Sequence, residues 1–161
     1  MLCIEKQNHE FWMKKALELA IISYEKNEVP VGALIIKNNQ IIGQGYNLVN
    51  STNIISNHAE IIAINTASKK LKNWRLLGCE IYVTLEPCHM CVGAINNCRI
   101  KTVIYGAKNN NFGAINMLNS KIKLISGILQ PECSKLLSDF FKKIRTDLKI
   151  NYKRMLKNQS N

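Results

Sequence analysis

The stretch Thr84-Leu85-Glu86-Pro87-Cys88-His89-Met90-Cys91 constrains the fold of this 161-residue chain more than any other. It reads as the end of a buried strand running straight into a helix. Proline suits a first helical position, where its missing N–H has no partner in any case, so the pattern predicts a helix opened by Pro87. Cys88 and Cys91, three residues apart, then share one helical face. The positive end of a helix dipole favours thiolate over thiol, and the thiolate is the form that binds metals. Two sulfurs do not complete a metal site, so another ligand has to come from elsewhere in the chain.

The length bounds a single domain, residues 1–161. With 47% hydrophobic residues the chain can bury a core without a disulfide scaffold. The first ten residues carry no apolar run of signal-peptide length, and no segment approaches a membrane span. A cytoplasmic protein with no membrane partner and reduced thiols is expected. Outside the C-x-x-C, Cys3, Cys79, Cys98 and Cys133 are scattered and read as small buried apolar residues. The formal charge of +11, from 22 Lys plus Arg against 11 Asp plus Glu, favours a polyanion such as nucleic acid. A compositional bias toward Asn, Ile and Lys is the other reading of that charge.

Periodicity predicts an amphipathic helix over 9–26 with Asn8 as its N-cap, broken by Val29-Pro30. Strands at 31–36 and 40–46 form a hairpin around Lys37-Asn38-Asn39-Gln40. A polar loop, 47–57, leads to a helix over 58–71 whose apolar face is Ile61, Ile62, Ile64 and Ala67. A basic connection with Trp74 and Arg75 precedes a strand over 79–85, in which Ile81, Val83 and Leu85 alternate with Glu80, Tyr82 and Thr84. The Pro87 helix runs to 98, followed by a strand over 99–105 and a loop over 106–120 with room for one helical turn. A short strand over 121–126 and a closing helix from 131 to 147 or beyond complete the chain, and residues 149–161 are expected to fray. A hairpin followed by alternating strands and helices implies one five-stranded mixed sheet with helices on both faces, a three-layer α/β/α class.

The third ligand candidate lies in His58-Ala59-Glu60. The chain has three histidines. His9 sits on the first helix and needs no role, and His89 is turned away from both cysteine positions on a helix, about 100° from Cys88 and about 200° from Cys91. Two helix N-termini side by side on one sheet could aim His58, Cys88 and Cys91 at a single point. One imidazole and two thiolates with an open fourth position is the pattern of a catalytic zinc. Such a zinc lowers the pKa of a bound water to about 7, and a carboxylate at Glu60 could move that water's proton. Each residue alone has an ordinary reading. His58 could be a satisfied histidine, Glu60 the third residue of a capping box with Asn57, and the cysteines a redox pair or half of a four-cysteine site.

Taken together, His58-Ala59-Glu60 and Pro87-Cys88-His89-Met90-Cys91 resemble the signature of the zinc deaminase superfamily. Further stretches resemble one branch, the bacterial tRNA-specific adenosine deaminases. These are Glu28-Val29-Pro30-Val31-Gly32-Ala33, Asn47, Tyr105-Gly106-Ala107, Gly113-Ala114, Ser126-Gly127-Ile128-Leu129, Glu132-Cys133 and Leu136-Leu137-Ser138-Asp139-Phe140-Phe141. The resemblance spans residues 9–147 and leaves 148–161 as a basic tail. It implies a cytidine-deaminase-like fold and conversion of the wobble adenosine of a tRNA to inosine. It implies one zinc per subunit on His58, Cys88 and Cys91, with Glu60 as proton shuttle and Asn47 against the flipped nucleoside. It also implies a homodimer whose two subunits both touch the tRNA anticodon loop. Lys142, Lys143 and Arg145 on the closing helix are the RNA-binding candidates, and Phe140 and Phe141 either stack on bases or dock that helix. Two stretches depart from the family: Ile54-Ile55-Ser56-Asn57 replaces an Asp-Pro-Thr type of turn, and the segment over 113–121 is short for a crossover. The rival readings are a free-base deaminase acting on guanine or cytosine and a non-catalytic zinc module that binds RNA.

Overall fold

The computed structural model describes residues 2–158, with side chains described for 8–151; Cys3 and the last basic residues therefore lie outside the described side chains. The elements in order are α1 (Leu2–Glu25), β1 (Gly32–Lys37), β2 (Gln40–Tyr46), α2 (Val49–Thr52), α3 (Ala59–Leu71), β3 (Glu80–Leu85), α4 (His89–Asn97), β4 (Thr102–Ala107), a 3-10 turn (Ile115–Met117), β5 (Lys123–Ser126) and α5 (Gln130–Asn158). The five strands form one sheet in the order β2-β1-β3-β4-β5. β1 runs antiparallel to both β2 and β3, while β3, β4 and β5 are parallel. The expected mixed sheet with helices on both faces is the one found.

Two cores follow from that layering. On one face α1 and α5 bring Trp12, Met13, Ala16 and Cys133 against Leu34, Ile36, Tyr82 and Ile104. On the other, α3 and α4 bring Ala63, Ala67 and Ile95 against Ala33, Ile35, Ile81, Val83 and Val103. A central strand covered on both sides buries both of its faces. This is why Tyr82 and Thr84 are buried along with Ile81 and Val83, where strict alternation predicted a polar face. The β1–β2 turn carries positive φ at Asn38 and Asn39, 49° and 57°, the backbone that two-residue hairpin turns require.

α3 lies unusually close to β2. A Cβ on Gly43 would meet the Ala63 carbonyl and Ala67, and one on Gly45 would meet the Ala59 carbonyl and the Ala63 amide. Of the predicted apolar face of α3, Ile64 and Ala67 are buried, joined by Ala59 and Ala63, whereas Ile61 and Ile62 are only half-buried.

Several boundaries differ from expectation. α1 begins at Leu2, so Asn8 is inside the helix and does not cap it. α4 begins at His89 with Cys88 as its N-cap, which leaves Pro87 outside the helix. The Glu86 amide donates to the Ala107 carbonyl, and Cys88 bridges to Gly113, so the backbone stays extended beyond the end of β3. β4 starts at Thr102 because Arg99, at φ 61°, first closes the end of α4. The 47–57 loop contains α2, and the β4–β5 crossover holds only its 3-10 turn. α5 stays helical to Asn158, through most of the segment expected to fray. That segment has no Gly or Pro to interrupt good helix formers such as Lys, Arg and Leu. Among the described residues no helix is long and apolar enough to cross a membrane.

Candidate active site

The first residues of α3 and α4 meet beyond the carboxyl end of the central strand β3. His58 is the N-cap of α3 and Cys88 the N-cap of α4, both with extended backbone (φ −69°, ψ 151° and φ −78°, ψ 174°). Neither side chain caps its own helix, so both are free to face away from it. His58 Nδ1 lies 3.7 Å from Cys88 Sγ and 3.6 Å from Cys91 Sγ. The three donor atoms are within 4.8 Å of one another and could hold a metal ion. A tetrahedral zinc, with bonds of about 2.3 Å to sulfur and about 2.0 Å to nitrogen, sets its N and S ligands about 3.5 Å apart. The donor set and its spacing therefore fit zinc. His89 is exposed and outside the cluster. His9 Nδ1 is 2.8 Å from the Tyr82 hydroxyl, which donates to Glu80 Oε2 at 3.3 Å.

The cluster is electrostatically coupled. The Cys91 S–H donates to Cys88, and together with His58 this holds the Cys88 thiol down to about 3. The same bond, reinforced by burial, pushes Cys91 upward. His58 is raised by its hydrogen bond to Cys88, against the opposing effect of burial. Glu60 is 4% exposed, and burial pushes its carboxyl above the ordinary carboxylate range, partly offset by its own backbone and by His58. With His58 as N-cap, Glu60 is the second helical residue. The capping box with Asn57 is not formed, because the helix begins one residue later with His58 as its N-cap; the Asn57 side-chain amide donates to Thr52 Oγ1.

A cleft of about 220 Å³ opens over His58, Glu60 and Cys88, walled by Val29, Val31, Val49 and Leu85 and edged by Asn47, Glu86 and Asn109. Its apolar walls and few polar groups suit a planar base. Two buried carboxylates support the rim. Glu86 accepts from the Asn109 amide at 3.1 Å. Glu28, fully buried, accepts from the Ser51 amide at 2.5 Å, the Asn50 amide at 3.1 Å and Asn47 Nδ2 at 3.4 Å. Sequence reasoning gave Glu28 no site role of its own. Its only local signal is an acidic residue set between a helix end and Val29-Pro30.

Lys142, Lys143 and Arg145 do not line the cleft; they lie on the exposed surface of α5. Lys143 is engaged within the chain, donating to Asn27 Oδ1 at 2.9 Å and sitting 5.3 Å from the Tyr24 ring. Phe140 is buried edge-on against Tyr24, with ring centroids 5.8 Å apart, so it docks the helix. Phe141 stays 43% exposed at the edge of Phe140.

The chain matches a family model described as MafB19-like deaminase over residues 7–145. A tRNA-specific adenosine deaminase of Buchnera aphidicola subsp. Schizaphis graminum is 45% identical over 149 residues, which cover 87% of this chain and 99% of that protein. The chain belongs to the tRNA-specific adenosine deaminase family. Another protein of that name, from Bacillus subtilis (strain 168), is 38% identical over 91% of this chain and 96% of its own length. Among solved structures, one from a study of A-to-I editing at the wobble position of transfer RNA superposes with a TM-score of 0.74. It is 34% identical and covers 78% of this chain and 97% of its own. A guanine deaminase from Bacillus subtilis is 38% identical over 65% of this chain and 71% of its own, with a TM-score of 0.61. Membership of this family makes the chain a deaminase, an enzyme acting on C–N bonds.

Proposed function

We propose that this chain is a zinc-dependent deaminase that hydrolyses adenosine to inosine at the wobble position of tRNA. The observation that carries the chemistry is the buried Glu60 carboxyl, placed beside the His58, Cys88 and Cys91 cluster at the base of a one-base cleft. The choice of tRNA over a free base is supported by relatives of that name that match over nearly their whole length, against a shorter match to the guanine deaminase.

In this reading His58, Cys88 and Cys91 hold one zinc per subunit. The bound ion supplies Lewis-acid activation of a water molecule. Glu60 would carry one proton of that water to N1 of adenine, where it stays as the N1–H of inosine, and the other to the departing amine, so adenosine and water become inosine and ammonia. Burial lets the Glu60 carboxyl hold a proton at a pH where an exposed one would not. Val29, Val31 and Leu85 keep bulk water away from the base. Unstacking the target costs a few kcal/mol, least in a loop that is already single-stranded. Asn47 contacts the unstacked nucleoside, and Lys142, Lys143 and Arg145 meet phosphates of the anticodon loop, Lys143 while also anchoring α5 to Asn27. Residues 1–161 form one deaminase domain, with a core over 9–147 and a basic extension over 148–161. It works in the cytoplasm as a homodimer.

The test is incubation with total tRNA and, separately, with free guanine, cytosine and adenine, followed by nucleoside and base analysis. Inosine at the wobble position of tRNA and unchanged free bases are expected. Turnover of a free base without tRNA product assigns the chain to the free-base deaminases, and RNA binding without any deamination leaves only a binding module.

A further inference from the structure

We propose that Glu28 is a positioning residue: it fixes which end of the Asn47 side-chain amide faces the cleft, and thereby which kind of substrate group is read there. The inference rests on the reading of Asn47 as a substrate contact.

The Asn47 backbone is pinned on both sides. Its N–H donates to the Val31 carbonyl at 3.0 Å, and its carbonyl accepts from Ser23 Oγ at 3.0 Å. The freedom that remains is rotation of the side-chain amide. Glu28 removes it. A carboxylate only accepts hydrogen bonds, so the atom that Asn47 turns toward Glu28 Oε2, 3.4 Å away, is its nitrogen. The same carboxylate is held in place by the Asn50 and Ser51 amides of α2, a helix whose N-cap Leu48 offers no side-chain cap.

With Nδ2 directed at Glu28, Oδ1 occupies the opposite side of the amide. Oδ1 accepts from no described protein group, and among the described residues no fully buried side-chain oxygen or nitrogen lacks a partner. Oδ1 is therefore accessible, and the space Asn47 borders is the cleft. The cleft is thus offered an acceptor, which pairs with a donor on the nucleoside: a ribose hydroxyl or an exocyclic amine. Glutamine at position 28 would supply both a donor and an acceptor, and the amide could then settle in either orientation.

The test uses zinc-loaded protein and a tRNA transcript with adenosine at the wobble position. Glu28→Gln is expected to raise KM roughly five- to tenfold, the loss of one hydrogen bond, with kcat within about twofold. Zinc content stays at the wild-type level, while the melting temperature falls, because an amide NH2 replaces one of the two oxygens that accept from the Asn50 and Ser51 amides. Asn47→Ala raises KM to a similar extent, and the double variant is no worse than Asn47→Ala alone, because both changes remove one interaction. Additive losses, or a wild-type KM for Glu28→Gln, overturn the proposal. A wild-type KM for Asn47→Ala is a different failure, that of the reading of Asn47 itself. A transcript with 2′-deoxyadenosine at the target identifies the donor: the Glu28→Gln penalty vanishes on it for a ribose hydroxyl and persists for an amine. If Glu28→Gln does not fold, amide NMR of the wild-type enzyme decides. The Asn47 side-chain NH2 is expected to be protected from solvent exchange, and an unprotected signal overturns the proposal.

Discussion

Cys98 and Cys133 are inside the protein as the scatter of cysteines predicted, and burial changes what they contribute. It raises Cys98 to about 11 and Cys133 to about 12 from an ordinary 9.0. Above pH 9 the unfolded chain ionises these thiols while the folded one keeps them protonated. The unfolded state then binds fewer protons, so stability falls as pH rises from 9 toward 12. Each thiol contributes a loss of about 1.4 kcal/mol per pH unit between 9.0 and its own folded value, about 11 for Cys98 and about 12 for Cys133. Urea unfolding in reducing buffer at pH 8 and pH 10 measures it, and a Cys133→Ala variant is expected to show the shallower pH dependence. Equal slopes for the two proteins contradict this account. The candidate ligands were legible at this scale because H-x-E and C-x-x-C are local spacings, and the ligand atoms do converge. Glu28 was not, because its partners Asn47, Asn50 and Ser51 come from another loop, and no spacing rule connects a buried acid to a distant amide.

β2 and α3 form the element pair that sets where His58 stands. The helix approaches the strand over Gly43 and Gly45, where any side chain would strike helix backbone. Gly45→Ala is expected to push the start of α3 outward. It should cost about 1–3 kcal/mol, the usual penalty for overpacking, and speed zinc loss to a chelator, since His58 is the N-cap of that helix. Thermal unfolding and chelator-released zinc measure the two effects, and wild-type values for both contradict the packing argument. Element types and order were readable because apolar periodicity records burial. Boundaries were less so. Pro87 looked like a helix opener, yet the Cys88–Gly113 bridge holds the chain extended for longer, and that pairing involves residues 25 apart in sequence. The two-sided burial of β3 was likewise hidden, since its alternation of Ile and Val with Glu, Tyr and Thr fits a one-sided strand equally well.

At the scale of the molecule, the sheet order puts the parallel strands β3, β4 and β5 together, and β3 feeds the candidate site from its carboxyl end. Open α/β sheets bind ligands beyond the carboxyl ends of their strands. The architecture was legible because a hairpin followed by strand–helix alternation leaves few topologies. The place of the basic helix was not, because charge along a sequence does not say which surface lysines are engaged within the chain, as Lys143 is with Asn27. The central claim joins the metal cluster to one buried acid. Inosine formation on tRNA, measured for wild type and Glu60→Gln at matched zinc content, tests it most directly. Wild type is expected to form inosine and Glu60→Gln to lose roughly 10²–10⁴-fold in rate with zinc and fold retained; a Glu60→Gln enzyme that deaminates tRNA at the wild-type rate would contradict it.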